Sequence, residues 1–164
     1  MIAAPGLEVA LELRARLADL YCAYDDALDE GEFERWPEFF TEECLYKVTT
    51  RENYELGLPV ALIYGESRRM LADRVVALRE TALYAPRTIR RLTSAVRLLA
   101  ADGDGMRLSG SLALCQTLLD RPSELFLCGR RYDRIVEQDG GLLFAERVCV
   151  CDSTVIPISL VYPV

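Results

Sequence analysis

The segment that decides the fold is residues 124–152, ELFLCGRRYDRIVEQDGGLLFAERVCVCD. Two stretches rich in β-forming residues, Glu124 to Glu137 and Leu142 to Asp152, flank the turn sequence Asp139-Gly140-Gly141. An Asp-Gly pair between two such stretches favours a β-hairpin, because both residues accept the backbone angles of a tight turn. The segment therefore predicts two long antiparallel strands.

Two stretches upstream, Thr88 to Ala100 and Met106 to Leu119, have the same character. They are divided from each other and from the hairpin by two turn sequences, Asp102-Gly103-Asp104-Gly105 and Asp120-Arg121-Pro122-Ser123. Aspartate, glycine, proline and serine dominate tight turns. The second half of the chain is thus predicted to be a four-stranded antiparallel meander.

The first half is predicted to be mainly helical. Apolar residues recur at helical spacing from about Leu7 to Leu28, including Ala10, and Gly31 offers a left-handed residue to end that helix. A second short helix is expected to begin at Pro37. Ser67 can cap a third helix, which Pro86 prevents from continuing. The 3.6-residue period of the third helix runs through Leu71, Val75, Leu78 and Ala82.

The region between these helices contains an aromatic group and one strand. We expect four aromatic residues to plug one end of the core: Phe33, Trp36, Phe39 and Phe40. Leu45 to Thr50 is predicted to be a strand, and Arg51 to Gly65 an irregular excursion in which Val60 to Tyr64 can form a second short strand.

Helices followed by a long meander predict an α+β fold, with helices packed on one face of a strongly curved antiparallel sheet and a conical hollow at its open end. The 164 residues suffice for one domain, residues 1–164. Residues 1–6 are expected to be a flexible N-terminus. Residues 153–164 form an apolar C-terminal tail that either returns over its own domain or lies in a groove of another subunit.

Composition excludes several function classes. The chain has no histidine, which removes the commonest general base and the commonest metal ligand. The net charge of −7 disfavours nucleic acid and anionic membranes as partners. The six cysteines form no Cys-x-x-Cys pair, and no secretory signal precedes the first helix, so reduced thiols in the cytoplasm are expected.

One polar group in the first helix has catalytic potential. Tyr21 and Asp25 lie one helical turn apart, and Tyr24 is adjacent. A tyrosine donor beside a carboxylate base in the hollow can enolise or dehydrate a small carbonyl compound. The competing interpretation is structural: the tyrosines belong to the apolar stripe and the acid is solvated.

Arginine dominates the basic residues, since Lys47 is the only lysine among 19. Guanidinium groups on neighbouring strands can clamp a carboxylate or pair across a subunit interface, whereas the structural alternative is a solvated sheet face. The interface candidates are Arg87, Arg90, Arg91, Arg97, Arg130, Arg131, Arg134, Arg147 and Tyr162.

Four stretches, taken in order, carry a resemblance to a known family. They are Trp36 to Val48 (WPEFFTEECLYKV), Met70 to Arg79 (MLADRVVALR), Gly129 to Asp133 (GRRYD) and Glu146 to Val155 (ERVCVCDSTV). Their order and spacing resemble the small (beta) subunits of Rieske-type aromatic-ring-hydroxylating dioxygenases. The ending Cys151 to Val155, with Tyr162-Pro163, looks most like the small subunits of terephthalate dioxygenases and salicylate 5-hydroxylases.

This resemblance implies an NTF2-like (cystatin-like) roll and a non-catalytic assembly role in the degradation of an aromatic compound, with an aromatic carboxylate as the expected substrate. It also implies that the Rieske [2Fe-2S] cluster and the mononuclear iron belong to a large (alpha) subunit. Beta would form a homotrimer within a hexamer of three alpha and three beta subunits. In that case the chain itself has no catalytic, cofactor or metal site.

Two alternatives remain open at this point. The first is a stand-alone NTF2-like isomerase or dehydratase that uses Tyr24 and Asp25, or Tyr21 and Asp25. The second is an NTF2-like module that binds a small ligand and has no oxygenase partner.

Overall fold

The computed structural model describes residues 11–81, 84–155 and 160–164. The predicted helix start near Leu7, the helical positions Ala10 and Ala82, and the expected flexible N-terminus at residues 1–6 lie outside these ranges. The helices are α1 (Leu11–Asp29), a 3₁₀ helix (Phe33–Phe39), α2 (Arg51–Glu55) and α3 (Arg68–Glu80). The strands are β1 (Phe40–Thr50), β2 (Ile63–Gly65), β3 (Arg87–Thr93), β4 (Arg97–Asp102), β5 (Gly105–Leu118), β6 (Glu124–Gln138) and β7 (Gly141–Cys151).

All seven strands form one sheet. Its order is β2-β1-β7-β6-β5-β3, and β4 pairs with β5 beside β3. The pairing of β1 with β7 is parallel, and every other pairing is antiparallel. The β5–β6 and β6–β7 turns contain Asp120 (φ 59°) and Asp139 (φ 53°), which adopt the left-handed conformation that aspartate tolerates. The α+β prediction and the β6–β7 hairpin are confirmed.

The prediction that the first strand of the meander is continuous is wrong. Thr88 to Ala100 divides into β3 and β4, because the two pieces pair with opposite halves of the long strand β5. At the division Ser94 N donates to Ser111 O (3.0 Å), and Ser94 Oγ accepts from Ser111 N (2.8 Å). Residues 94–96 therefore leave the regular ladder where the sheet bends, and they form one edge of the hollow.

The helix predicted to start at Pro37 is also placed differently. It is a 3₁₀ helix that begins at Phe33, because the chain turns directly after α1, with Arg35 N donating to Glu32 O (3.0 Å). Pro37 lies inside this helix and lacks an amide donor, which keeps the element short. The predicted cap of α3 is confirmed, since Ser67 Oγ accepts from Met70 N (3.2 Å).

The excursion at 51–65 is more regular than predicted. It contains the five-residue helix α2, and its apolar run ends in β2, which pairs with β1. Strand β1 itself begins at Phe40, five residues before the predicted start, because its first residue already pairs with Phe144 of β7.

The core lies between the concave face of the sheet and the helices α1, 3₁₀ and α3. The aromatic plug is confirmed: Trp36 and Phe40 are fully buried, and Phe33 is buried beside them. Cys149 and Cys151, which lie two residues apart on β7, are also buried. In the described parts of the chain, no helix is both long and apolar enough to cross a membrane.

Candidate functional site

The predicted hollow is present between α1 and the bent edge of the sheet. It is a cavity of about 670 Å³ that opens to solvent on one side. Helix α1 supplies one wall, and β4, β5 and residues 93–96 supply the other. Tyr21, Asp25 and Arg131 line it among mainly aliphatic neighbours. A cavity of this size and polarity falls in the range typical of small-molecule sites.

Beneath this hollow lies a buried charged cluster on β6 and β7. Asp133 sits between two guanidinium groups: its Oδ2 is 3.7 Å from Arg131 Nε, and its Oδ1 is 4.0 Å from Arg147 Nε. The side chains of all three residues are at most 2% exposed. Tyr21 Oη donates to Asp133 Oδ2 over 2.6 Å. Helix α1 and the sheet are thus joined through one buried carboxylate.

The cluster is reinforced by aromatic rings. The Arg131 guanidinium lies 4.3 Å from the centre of the Tyr21 ring, and that of Arg147 lies 4.0 Å from the centre of the Tyr24 ring. The electron-rich ring faces favour cations, most strongly where water is excluded. Gly110 makes room for this packing, because a Cβ there would lie 3.1 Å from Arg131 Nε.

Burial sets the protonation of the cluster. It raises the pKa of the Asp133 carboxyl, whereas Arg147, the hydrogen bond from Tyr21, and Arg131 limit that rise. The two guanidinium groups beside the carboxyl favour its ionised form. Burial, together with the neighbouring Asp133 charge, also raises the pKa of Tyr21 far above its usual value. The Tyr21 hydroxyl therefore remains a hydrogen-bond donor across the physiological range.

Tyr24 has a different role from the one considered for catalysis. Its hydroxyl donates to the main-chain oxygen of Val164 (3.0 Å) and accepts from Trp36 Nε1 (3.1 Å). Tyr46 contacts the same residue, accepting from Val164 N over 2.7 Å. Burial raises the pKa of Tyr24 to about 12. Residues 160–164 of the tail thus return over their own domain and anchor in its core, without forming a strand.

The structure does not bring Tyr24 and Asp25 together as a catalytic pair. Tyr24 is completely buried beneath the hollow, whereas Asp25 lines it and accepts a hydrogen bond from Thr93 Oγ1 (2.8 Å). Tyr21 does share the hollow with Asp25, but its hydroxyl is engaged by Asp133. These positions favour the structural interpretation of the tyrosines over the isomerase alternative.

The nine interface candidates divide into three groups. Arg91, Arg131 and Arg147 are buried within this chain, and Arg91 bonds to Asp29 (2.5 Å) and to Pro163 O (2.5 Å). Their burial excludes the solvated sheet face considered for them. Tyr162 is half-buried and stacks on Phe33 at 5.0 Å. The remaining candidates keep exposed or half-buried side chains: Arg87, Arg90, Arg97, Arg130 and Arg134.

Sequence reasoning missed Asp133 and Val164. Asp133 is two residues after Arg131, so both side chains point to the same face of β6, and it pairs in register with Arg147 of β7. The two-residue spacing from Arg131 and the pairing with Arg147 were the signals that could have identified Asp133. Nothing in the sequence indicated that Val164 would exchange hydrogen bonds with both Tyr24 and Tyr46.

The side chains that could ligate a metal do not suit an iron centre. A Rieske cluster needs two histidines, and the chain has none. Within residues 11–81, 84–155 and 160–164, no three cysteine or carboxylate side chains are grouped closely enough to hold a metal ion. The residues present therefore do not fit either iron group of the resembled oxygenases.

Comparisons with known proteins agree with this geometry. Residues 25–158 match the family model of the ring hydroxylating beta subunit. The chain is 33% identical over 141 residues to the anthranilate 1,2-dioxygenase small subunit of Burkholderia cepacia, covering 86% of this chain and 88% of that protein. It is 32% identical to the terephthalate 1,2-dioxygenase terminal oxygenase component subunit beta 1 of Comamonas sp., covering 85% of this chain and 91% of that protein.

A solved structure extends the match to three dimensions. It is described as the beta subunit of an aromatic-ring-hydroxylating dioxygenase from Novosphingobium aromaticivorans. It is 34% identical, covers 96% of this chain and 100% of its own, and superposes with a TM-score of 0.86. The NTF2-like roll expected from the resemblance is confirmed. With the family model spanning most of the sequence and relatives above 30% identity along nearly its whole length, this chain belongs to the beta subunits of aromatic-ring-hydroxylating dioxygenases.

Proposed function

We propose that this chain is a non-catalytic assembly subunit of a Rieske non-heme iron oxygenase that degrades an aromatic compound. The large alpha subunit supplies the Rieske [2Fe-2S] cluster, the mononuclear iron and the substrate pocket. The beta chain supplies a rigid support on which the large subunits assemble. All six cysteines are unpaired thiols, which supports a reducing, cytoplasmic location.

The observation that carries this proposal is the internal use of the polar residues. The hydroxyls of both candidate tyrosines are engaged, one by Asp133 and the other by Val164. A general acid must be free to reach a substrate. The chain also has no histidine that could act in their place. The two tyrosine hydroxyls therefore stabilise the packed core and are not free for catalysis.

Exposed apolar side chains support an assembly role. The excursion after β1 presents Leu56, Val60 and Tyr64 at 50% exposure or more, with Leu58 and Leu62 between them. A contiguous apolar surface on one subunit is typical of a face that another subunit covers. We assign this excursion, residues 56–64, to a subunit interface, together with the surface arginines Arg87, Arg90, Arg97, Arg130 and Arg134.

The stoichiometry and substrate follow from the resemblance. We propose a beta homotrimer within a hexamer of three alpha and three beta subunits. The two curated relatives are named for anthranilate and terephthalate, which are both aromatic carboxylates. An aromatic carboxylate is therefore the proposed substrate class of the complex.

The test is reconstitution. The chain is purified alone and after co-expression with the large oxygenase subunit from the same genome, and iron content, arene turnover and mass are measured for both. We expect no iron and no turnover from the chain alone, and an active complex of six subunits. Tightly bound iron or turnover in the isolated chain would overturn the proposal, as would failure to co-purify with every large-subunit candidate.

A matched pair of variants tests the interface. Val60→Asp places a charge in the excursion, whereas Leu119→Asp places one on an exposed turn. We expect Val60→Asp to weaken co-purification at least tenfold and Leu119→Asp to leave it unchanged. Equal behaviour of the two variants would remove the excursion from the interface.

A further inference from the structure

The hollow beside α1 has features that assembly does not require. We propose that it binds a small aromatic carboxylate, with the ring against the aliphatic walls and the carboxylate between Arg14 and Arg97 at the mouth. The test below uses the full chain without its partner, so its outcome does not depend on the proposed role in assembly.

The walls suit an apolar ring. Leu17 and Ala18 of α1 face Val96, Leu98 and Leu108 across the cavity. Leu108 and Leu17 are buried core residues, so this surface is held rigidly by the fold. A flat ring placed here removes apolar surface of both partners from water, which stabilises the complex. An inorganic anion would leave these walls unfilled.

The charge at the cavity favours an anion. Three arginines line it, Arg14, Arg97 and Arg131, against the single carboxylate of Asp25. This local excess of positive charge stands in a chain whose net charge is −7. Among the described residues, neither Arg14 nor Arg97 forms an ion pair or a side-chain hydrogen bond, and both are exposed at the mouth. Guanidinium groups bind carboxylates through paired hydrogen bonds.

The floor of the cavity offers a second polar contact. Three buried polar atoms have no hydrogen-bond partner among the described residues: Arg131 Nε, Arg131 Nη1 and Asp25 Oδ1. The Arg131 side chain is only 1% exposed. Buried polar groups left unpaired are rare and call for a partner. Arg131 and Asp25 both line the cavity. A hydroxyl or amino substituent on a bound ring is the kind of group that would supply the missing hydrogen bonds.

The experiment titrates the purified full chain with benzoate, benzyl alcohol and inorganic phosphate, monitored by calorimetry and by backbone NMR shifts. We expect saturable binding of one benzoate per chain, with shifts in α1 and at residues 93–98. Benzyl alcohol keeps the ring but not the charge, and phosphate keeps the charge but not the ring. Each should bind at least tenfold more weakly than benzoate.

Variants locate the site. Arg14→Gln and Arg97→Gln should each weaken benzoate binding by about two- to fivefold, as expected for exposed ion pairs, and the double variant by about tenfold. Ala18→Trp fills the hollow from the exposed side of α1 and should abolish binding while the chain stays folded. Arg121→Gln, an exposed arginine on a distant turn, is the control and should bind as the parent does.

Three results would overturn the proposal. The first is the absence of saturable benzoate binding. The second is binding that survives Ala18→Trp, or binding by the double arginine variant that is as tight as that of the parent. The third is benzyl alcohol or phosphate binding as tightly as benzoate, which would remove the carboxylate or the ring from the recognition.

Discussion

Replacing the buried carboxylate Asp133 with asparagine tests the central cluster most directly. Asparagine keeps the size of the side chain and an acceptor for the Tyr21 hydroxyl, so the 2.6 Å hydrogen bond can persist. What is lost is the negative charge between the Arg131 and Arg147 guanidinium groups, which lie 3.7 and 4.0 Å from its oxygens. Two like charges are then buried without compensation.

The expected effect is large. Removing one partner of a buried ion pair typically lowers the free energy of unfolding by about 3 to 5 kcal/mol. In a domain of this size, that corresponds to a fall in melting temperature of about 10 °C. The assay is urea unfolding of the full chain at pH 7, followed by far-ultraviolet circular dichroism. The denaturant dependence m should stay constant while the midpoint falls.

Two comparisons make this prediction specific. Asp19→Asn removes a charge from the exposed face of α1 and should change the free energy of unfolding by less than about 0.5 kcal/mol. Adding Arg131→Met to Asp133→Asn removes one of the uncompensated cations and should recover part of the lost stability. The reasoning is refuted if Asp133→Asn is as stable as the parent at pH 7, because the carboxylate would then contribute no charge compensation.

Three further predictions concern single residues. Burial raises the pKa of the Cys149 thiol from 9.0 to about 11. Stability present below pH 9 should therefore be lost as the pH rises to 11, since only the unfolded chain releases the proton there. Cys149→Ala should flatten that slope in urea titrations by up to ~1.4 kcal/mol per pH unit, and an unchanged slope would contradict the raised pKa. Ser67→Ala removes the cap of α3 and should lower the unfolding free energy by about 1 kcal/mol, and an unchanged urea midpoint would contradict the cap. Gly129→Ala places a Cβ 2.0 Å from Val150 O, so β6 and β7 must move apart. A loss of about 3 kcal/mol in urea unfolding is expected, and a stability equal to that of the parent would contradict the close approach.

The sequence predicted the elements whose signals are local. The turns at Asp120 and Asp139 were recognised because both use a left-handed backbone, which aspartate tolerates and which Gly140 also adopts in the second turn. The cap at Ser67 was recognised for a similar reason: one side chain satisfies one amide three residues later. Signals of this kind involve only neighbouring residues, so tertiary structure does not change them.

Long-range pairing accounts for the errors. The division between β3 and β4 arises because β5 bends and each of its halves pairs with a separate strand. The early start of β1 arises because Phe40 pairs with Phe144, more than a hundred residues away. Neither contact leaves a mark on the local pattern of residues.

The candidate site was harder to predict for a related reason. Charged and polar residues occupy both faces of β6: Arg130, Tyr132 and Arg134 on one, and Arg131 and Asp133 on the other. Alternation therefore did not indicate which face was buried. The inward face became evident only from its pairing with Arg147 and from the position of α1 above it.

The anchoring of Val164 has a consequence for the order of folding. Tyr24, Tyr46 and Arg91 form hydrogen bonds with Pro163 and Val164, which follow the strands of the sheet along the chain. A chain that has formed its hairpins but has not yet docked residues 160–164 lacks these bonds, although Arg91 can already pair with Asp29 and Tyr24 with Trp36. Docking of this segment is therefore a separate closing step, which seals the core once the sheet is in place.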